Sequence, residues 1–214
     1  MAARRSTDHR SLTTTRGDSP QLWAVAATLA CLAVSAAALA GAPALMPASY
    51  SWVAHTTSES AAQGVAGAWL ARLGFLTLGL AVLALSGPAT RHWGSVAALL
   101  HTAFGLLMVA AAVFSSRSWE PDAPFDAVED VLHSVVATTM GFAFAFGVAA
   151  VAWWLWRAGG GWRWFDAIAV AASVVLPLGM VVLDGYAGVL QRPIFVVAYL
   201  WYGAEAVRVL RAVT

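Results

Sequence analysis

The chain has 214 residues, of which 60% are apolar and only 11% charged, with a net charge of +1. Soluble domains carry roughly 25% charged residues, so this chain has too few charges to cover a water-facing surface, and its near-neutral balance excludes a nucleic-acid partner. Every basic residue is Arg, and the single cysteine, Cys31, lies in an apolar run, so no disulfide framework exists.

Residues 1–20 are polar, carry Arg4, Arg5, Arg10 and Arg16, and read as a disordered cytoplasmic tail. Six apolar stretches follow, at about 22–45, 68–86, 94–114, 131–156, 167–184 and 193–213, each near the roughly 20 residues that a membrane-crossing helix needs. The first contains "ALAGA", which resembles a cleavage site, but the long polar approach and an apolar run of over 20 residues predict a retained helix. Pro177 in the fifth predicts a kink, because neighbouring helices can re-satisfy the carbonyl it frees. The expected fold is all-α: one polytopic domain over residues 21–214, a bundle of six transmembrane helices in the cell membrane, with the lipid bilayer as its surroundings.

With the N-terminus inside, the cytoplasmic side holds Arg4, Arg5, Arg10, Arg16, Arg91, Arg157, Arg163, Arg208 and Arg211, against Arg72, Arg117 and Arg192 outside. Nine to three is a strong positive-inside bias and predicts both termini in the cytoplasm. Glu59, Glu120, Asp122, Asp126, Glu129, Asp130 and Asp184 all fall outside, although acids contribute little to topology. Tryptophans near the stretch ends, among them Trp52, Trp93, Trp119, Trp154, Trp156, Trp162 and Trp164, fit interfacial belts. The outer links, 46–67 and 115–130, are long and polar and the inner ones short, so the outer end is where function is expected.

His133 opens the fourth stretch from that side. Ala137, Gly141, Ala145 and Ala149 follow at intervals of four and predict a close helix–helix seam, turning His133 toward protein. Glu129 and Asp130, one turn back, are placed to hold the imidazole or to cap the helix. The first outer link adds His55, Ser58 and Glu59, and the last adds Asp184, Gln191 and Arg192. A candidate ligand site therefore comprises His55, Ser58, Glu59, Asp130, His133, Asp184 and Arg192, a set equally suited to zinc, a proton relay or an anion pocket. Within the membrane, His101 and Glu205 fall at similar depth and form a candidate polar pair; the alternative is that Glu205 pairs with Arg208 three residues on.

The stretch "YSWVAHTTSESAAQGVAGAWLARLGFLTLGL", with its Ser58–Glu59 pair, the acidic link from Asp122 to His133 and the "GVLQR" run at Gln191 and Arg192, resembles the bacterial and archaeal membrane family "domain of unknown function 998". The family's usual Ser-Glu-Leu-Gly reads Ser-Glu-Ser-Ala here. The resemblance covers about residues 22–210 and implies a six-helix or similar bundle, with weight on Glu59, His133 and Arg192 but no established activity. Three functions stay open: a non-enzymatic protein binding a lipid headgroup or small ligand at its outer mouth, a metal-dependent intramembrane hydrolase of lipids, and a small-solute or proton-coupled transporter. The sequence names neither cofactor nor oligomeric state, and no HExxH, CxxC or GxSxG motif is present.

Overall fold

The computed structural model describes residues 18–183 and 185–213. The expected tail, through residue 17, and the candidate Asp184 lie outside the described residues, while residues 18–20 already belong to the first helix. The described helices are α1 (Asp18–Gly41), α2 (Ala68–Trp93), α3 (Ser95–Val113), α4 (Ala127–Arg157), α5 (Trp164–Val182) and α6 (Ala187–Val213). Each contains a window long and apolar enough to cross a membrane. Two short 3₁₀ turns, Ala42–Leu45 and Glu59–Ala61, lie between α1 and α2.

Consecutive helices pack side by side and α6 closes the ring against α1, while α2 also touches α4 and α6. Half of the apolar window of α2 is buried, against 11% of that of α5, so α2 is the axis of the bundle and α5 its most peripheral member. Small residues and hydroxyls join the helices where the hydrophobic effect cannot, because lipid tails are as apolar as the side chains they would displace. A Cβ at Gly79 would lie 2.7 Å from the Gly105 carbonyl oxygen, so α2 and α3 meet backbone to backbone there. Ser35 of α1 donates to the Gly74 carbonyl at 2.6 Å and shares a 2.7 Å hydrogen bond with the Tyr199 hydroxyl, tying α1 to α2 and α6.

The two ends of the bundle differ. At one, Gly94 alone joins α2 to α3, with φ +77° that suits a residue lacking Cβ, and residues 158–163 join α4 to α5. At the other lie the long segments 42–67 and 114–126, the end of α5 and the start of α6. These are called the tight-turn end and the loop end below; α1 begins and α6 finishes at the tight-turn end.

Two helices, α2 and α6, run furthest beyond what hydropathy indicates. α2 continues through Pro88 to Trp93, where the apolar stretch stops near residue 86. On either side of this proline Ser86 Oγ donates to the Val82 carbonyl and Thr90 Oγ1 to the Ser86 carbonyl, each one turn back. α6 starts at Ala187, six residues before the apolar stretch, because the first outer link supplies acceptors for its otherwise orphaned first amides: Gly188 N–H donates to the Ala54 carbonyl and Val189 N–H to the Val53 carbonyl.

Candidate functional site

The loop end is built as a set of side chains that clamp backbone. Arg192, in the second turn of α6, donates through Nη1 to the carbonyls of Trp52 (2.6 Å) and His55 (3.3 Å) and through Nη2 to the Tyr50 hydroxyl (2.7 Å). Its guanidinium lies 4.4 Å from the centroid of the Trp52 ring, within cation–π range. Burial pushes the Tyr50 phenol above its usual range, and the nearby Arg192 charge only partly opposes this. Gln191 accepts the amides of Thr57 (2.6 Å) and Ser58 (3.3 Å) on Oε1 and donates to Ser58 Oγ at 3.4 Å. Glu59 Oε2 accepts from the amide and hydroxyl of Thr56. His55 Nδ1 accepts from the Ser51 amide, and its ring stacks on Trp119 at 4.9 Å.

The acidic approach to α4 works the same way. Asp126 caps the helix, accepting the amides of Val128 and Glu129. Glu129 accepts from the Ser115 amide (2.7 Å) and Asp130 from the Arg117 amide (2.8 Å). Both acids therefore hold the preceding loop and neither holds the imidazole. Gln63, to which the sequence analysis gave no role, stitches the two long loops together. Its Nε2 donates to the carbonyls of Ser115 and Asp126, and its Oε1 accepts from the Asp126 amide.

Glu59, His133 and Arg192, expected to converge, share no hydrogen bond among the described residues, and each spends its bonds within or against the loops. No group of three or more His, Cys, Asp or Glu side chains gathers closely enough among the described residues to hold a metal ion.

His133 is the exception that points inward. It is 5% exposed, and its Nδ1 lies 2.8 Å from the Phe114 carbonyl oxygen. A carbonyl only accepts, so Nδ1 carries the proton, and in the neutral ring Nε2 is then a bare acceptor. Nε2 has no hydrogen-bond partner among the described residues. The side chain lines a cavity of about 450 Å³ beneath the loops, enclosed by parts of α2 through α6. Ser58 and Gln191 join His133 among its polar lining, and Phe75, Phe104, Met108, Phe144 and Phe195 contribute apolar wall. Phe142, Val174 and Leu178 also line it yet remain 50–61% exposed, so the cavity opens sideways between α4 and α5. Along α4 it runs from His133 to Ala145, about 18 Å at 1.5 Å per residue.

This cavity corrects the expected seam. Ala137, Gly141 and Ala145 line open space, and a Cβ added at Gly141 would meet no atom within 4 Å. The close approach on α4 is made instead at Gly147, where a Cβ would fall 2.8 Å from Cε1 of His101.

At the tight-turn end, His101 and Glu205 are both buried, at 0% and 2% exposure, but are not hydrogen-bonded to each other. His101 Nδ1 bonds the Tyr202 hydroxyl at 2.9 Å, and its ring lies against Trp93 and Trp201, at 4.6 and 4.7 Å between centroids. Glu205 accepts from Trp93 Nε1 (2.9 Å), Arg163 (3.0 Å) and Arg208. Arg163 also forms a two-pronged pair with Asp166, which in turn accepts from Trp201 Nε1 at 2.9 Å. Sequence reasoning assigned no role to Asp166; the Arg163-x-x-Asp166 spacing at a helix start was the available signal. Trp93, expected in an interfacial belt, is 1% exposed and belongs to this network, whereas Trp154, Trp156, Trp162 and Trp164 are exposed as a belt requires.

Six membrane-length apolar helices, with their buried charges paired at one end and a loop-capped cavity at the other, define a polytopic helical membrane protein. The chain belongs to the family described as Protein of unknown function (DUF998), whose sequence model matches residues 25–208. No curated protein and no solved structure matches it.

Proposed function

We propose that this protein is a non-enzymatic binder of a membrane-borne amphiphile, which enters sideways between α4 and α5 and rests its polar end under the outer loops. The carrying observation is the cavity itself: about 450 Å³, mostly apolar along its length apart from Thr138 and Ser173, polar at its loop end and rimmed by exposed apolar side chains. That volume lies within the range of small-molecule sites, and a few placed polar groups in an apolar wall are their usual make-up. The mouth above is occupied by its own backbone clamps, which shifts the expected headgroup site from the loops to the cavity below them. The loop end faces outward in this reading and both termini lie in the cytoplasm, since nine of twelve arginines then fall inside.

Two experiments test it. Native mass spectrometry of the purified protein with monoolein, oleate and lysophosphatidylcholine should show a saturable single-chain adduct that Gly141→Phe removes. A Phe side chain there would project into the cavity, where no atom stands within 4 Å. Equal adduct on both proteins would overturn the reading. In a Cys31→Ala background, a cysteine at the exposed position 120 should react with an impermeant reagent from outside and one at the exposed position 160 from inside; the reverse pattern would invert the orientation.

A further inference from the structure

The polar end of the cavity is specific about what it leaves unbonded. His133 Nδ1 is committed as a donor to the Phe114 carbonyl, which presents Nε2 as an acceptor. Ser58 Oγ receives a hydrogen bond from Gln191 Nε2 and makes no other among the described residues, so its own proton remains available for donation. Gln191 Oε1 already accepts two amides. The loop geometry holds the first two groups together: Phe114 O receives His133, and two residues on Ser116 Oγ donates to the Ser58 carbonyl. No charged side chain lines this cavity among the described residues, and Arg192 is turned away to Tyr50 and Trp52.

We infer that the ligand is an uncharged single-chain amphiphile bearing a hydroxyl head, of the fatty-alcohol or monoacylglycerol class, whose O–H donates to His133 Nε2 while its oxygen accepts from Ser58. The inference rests on the amphiphile reading above and names the chemistry of the same site. A hydroxyl is the small group that both donates and accepts, which is the pair of functions left open. A carboxylate or phosphodiester head offers only acceptors, would face the Nε2 lone pair of the neutral ring, and would find no arginine in the lining to offset its desolvation. An ammonium or choline head would find no carboxylate among the described lining residues. The apolar lining runs about 18 Å along α4 by its 1.5 Å rise per residue, and the sideways opening gives a tail a route from the bilayer.

The test compares two probes that differ only at the head, oleyl alcohol and oleyl methyl ether, by native mass spectrometry titration. Wild-type protein should bind the alcohol about tenfold more tightly, since the ether cannot donate and leaves a buried acceptor unpaired. His133→Asn keeps a donor near the Nδ1 position for the Phe114 carbonyl but has nothing at Nε2, and should bring the ratio close to one. His133→Gln places an amide oxygen near the Nε2 position and should retain part of the preference, which a merely structural role for the histidine would not do. Melting temperatures of both variants within a few degrees of wild type establish that the fold is intact. Equal binding of alcohol and ether to wild type would overturn the hydroxyl assignment and leave the cavity reading standing, as would tighter binding of oleate or lysophosphatidylcholine than of the alcohol. Absence of binding by every probe would overturn both.

Discussion

Two glycines on one helix, six residues apart, should respond oppositely to the same substitution. Gly141→Ala and Gly147→Ala each gain roughly 1 kcal/mol of helix propensity, and because both sit inside α4 this gain cancels in the comparison. What remains is the new methyl group. At Gly141 it meets nothing within 4 Å, so its packing cost is close to zero. At Gly147 it would fall 2.8 Å from His101 Cε1 and 2.9 Å from Nε2, closer than carbon atoms approach. The ring cannot retreat cheaply, because it is fully buried, bonded to Tyr202 and set against both Trp93 and Trp201. Overpacking of this kind costs about 1–3 kcal/mol. Gly147→Ala should therefore be less stable than Gly141→Ala by that amount, which is about 2–4 °C of melting temperature per kcal/mol for a chain of this size. Thermal unfolding of both variants in one detergent, followed by tryptophan fluorescence, measures it. Equal melting temperatures, or a lower one for Gly141→Ala, would refute the reasoning and restore Gly141 to a helix–helix seam.

At the tight-turn end, Asp166→Ala removes both prongs of the Arg163 pair and the acceptor of a fully buried Trp201, and should cost about 3–5 kcal/mol in equilibrium unfolding. Glu205→Gln should cost clearly less, because Arg163 keeps Asp166 and the part-exposed Arg208 can turn to water; an equal loss would contradict this partition. Gly188→Ala should destabilise by about 1–3 kcal/mol, since the added Cβ would lie 2.3 Å from the His55 carbonyl oxygen; an unchanged melting temperature would mean the loop does not sit on α6. For Tyr50 the folded state raises the pKa above the usual value of about 10. Above that pH the unfolded chain has released a proton the folded chain still holds, so stability contributed by this group falls as pH rises. Tyr50→Phe should flatten that part of the stability profile above pH 10, and an identical slope would remove Tyr50 as its source.

Composition and span length alone determined the class and the helix count. Crossing hydrocarbon needs about 20 apolar residues with every backbone group bonded inside the segment, and that demand is local enough to be read from "LLHTAFGLLMVAAAV" or "VVATTMGFAFAFGVAAVAW" directly. The inward turn of His133 was legible for a similar reason, since residues at intervals of four share a helix face. Which neighbour that face meets was not. Spacing describes Ala137, Gly141 and Ala145 as a stripe but says nothing of whether a helix or a void stands opposite, and the structure puts a cavity there and the close contact at Gly147. The loop-end candidates were found by residue type, yet their partners are mostly backbone carbonyls and amides, which every residue carries and no side-chain pattern reports. Arg192 ends on carbonyls 140 and 137 residues away, and Glu129 on an amide 14 residues back. The Asp166 network likewise depends on Trp201 and Glu205, 35 and 42 residues along the chain from their partners. Such groups come together only once tertiary packing has made the cost of leaving any one of them buried and unpaired greater than the cost of ordering them all.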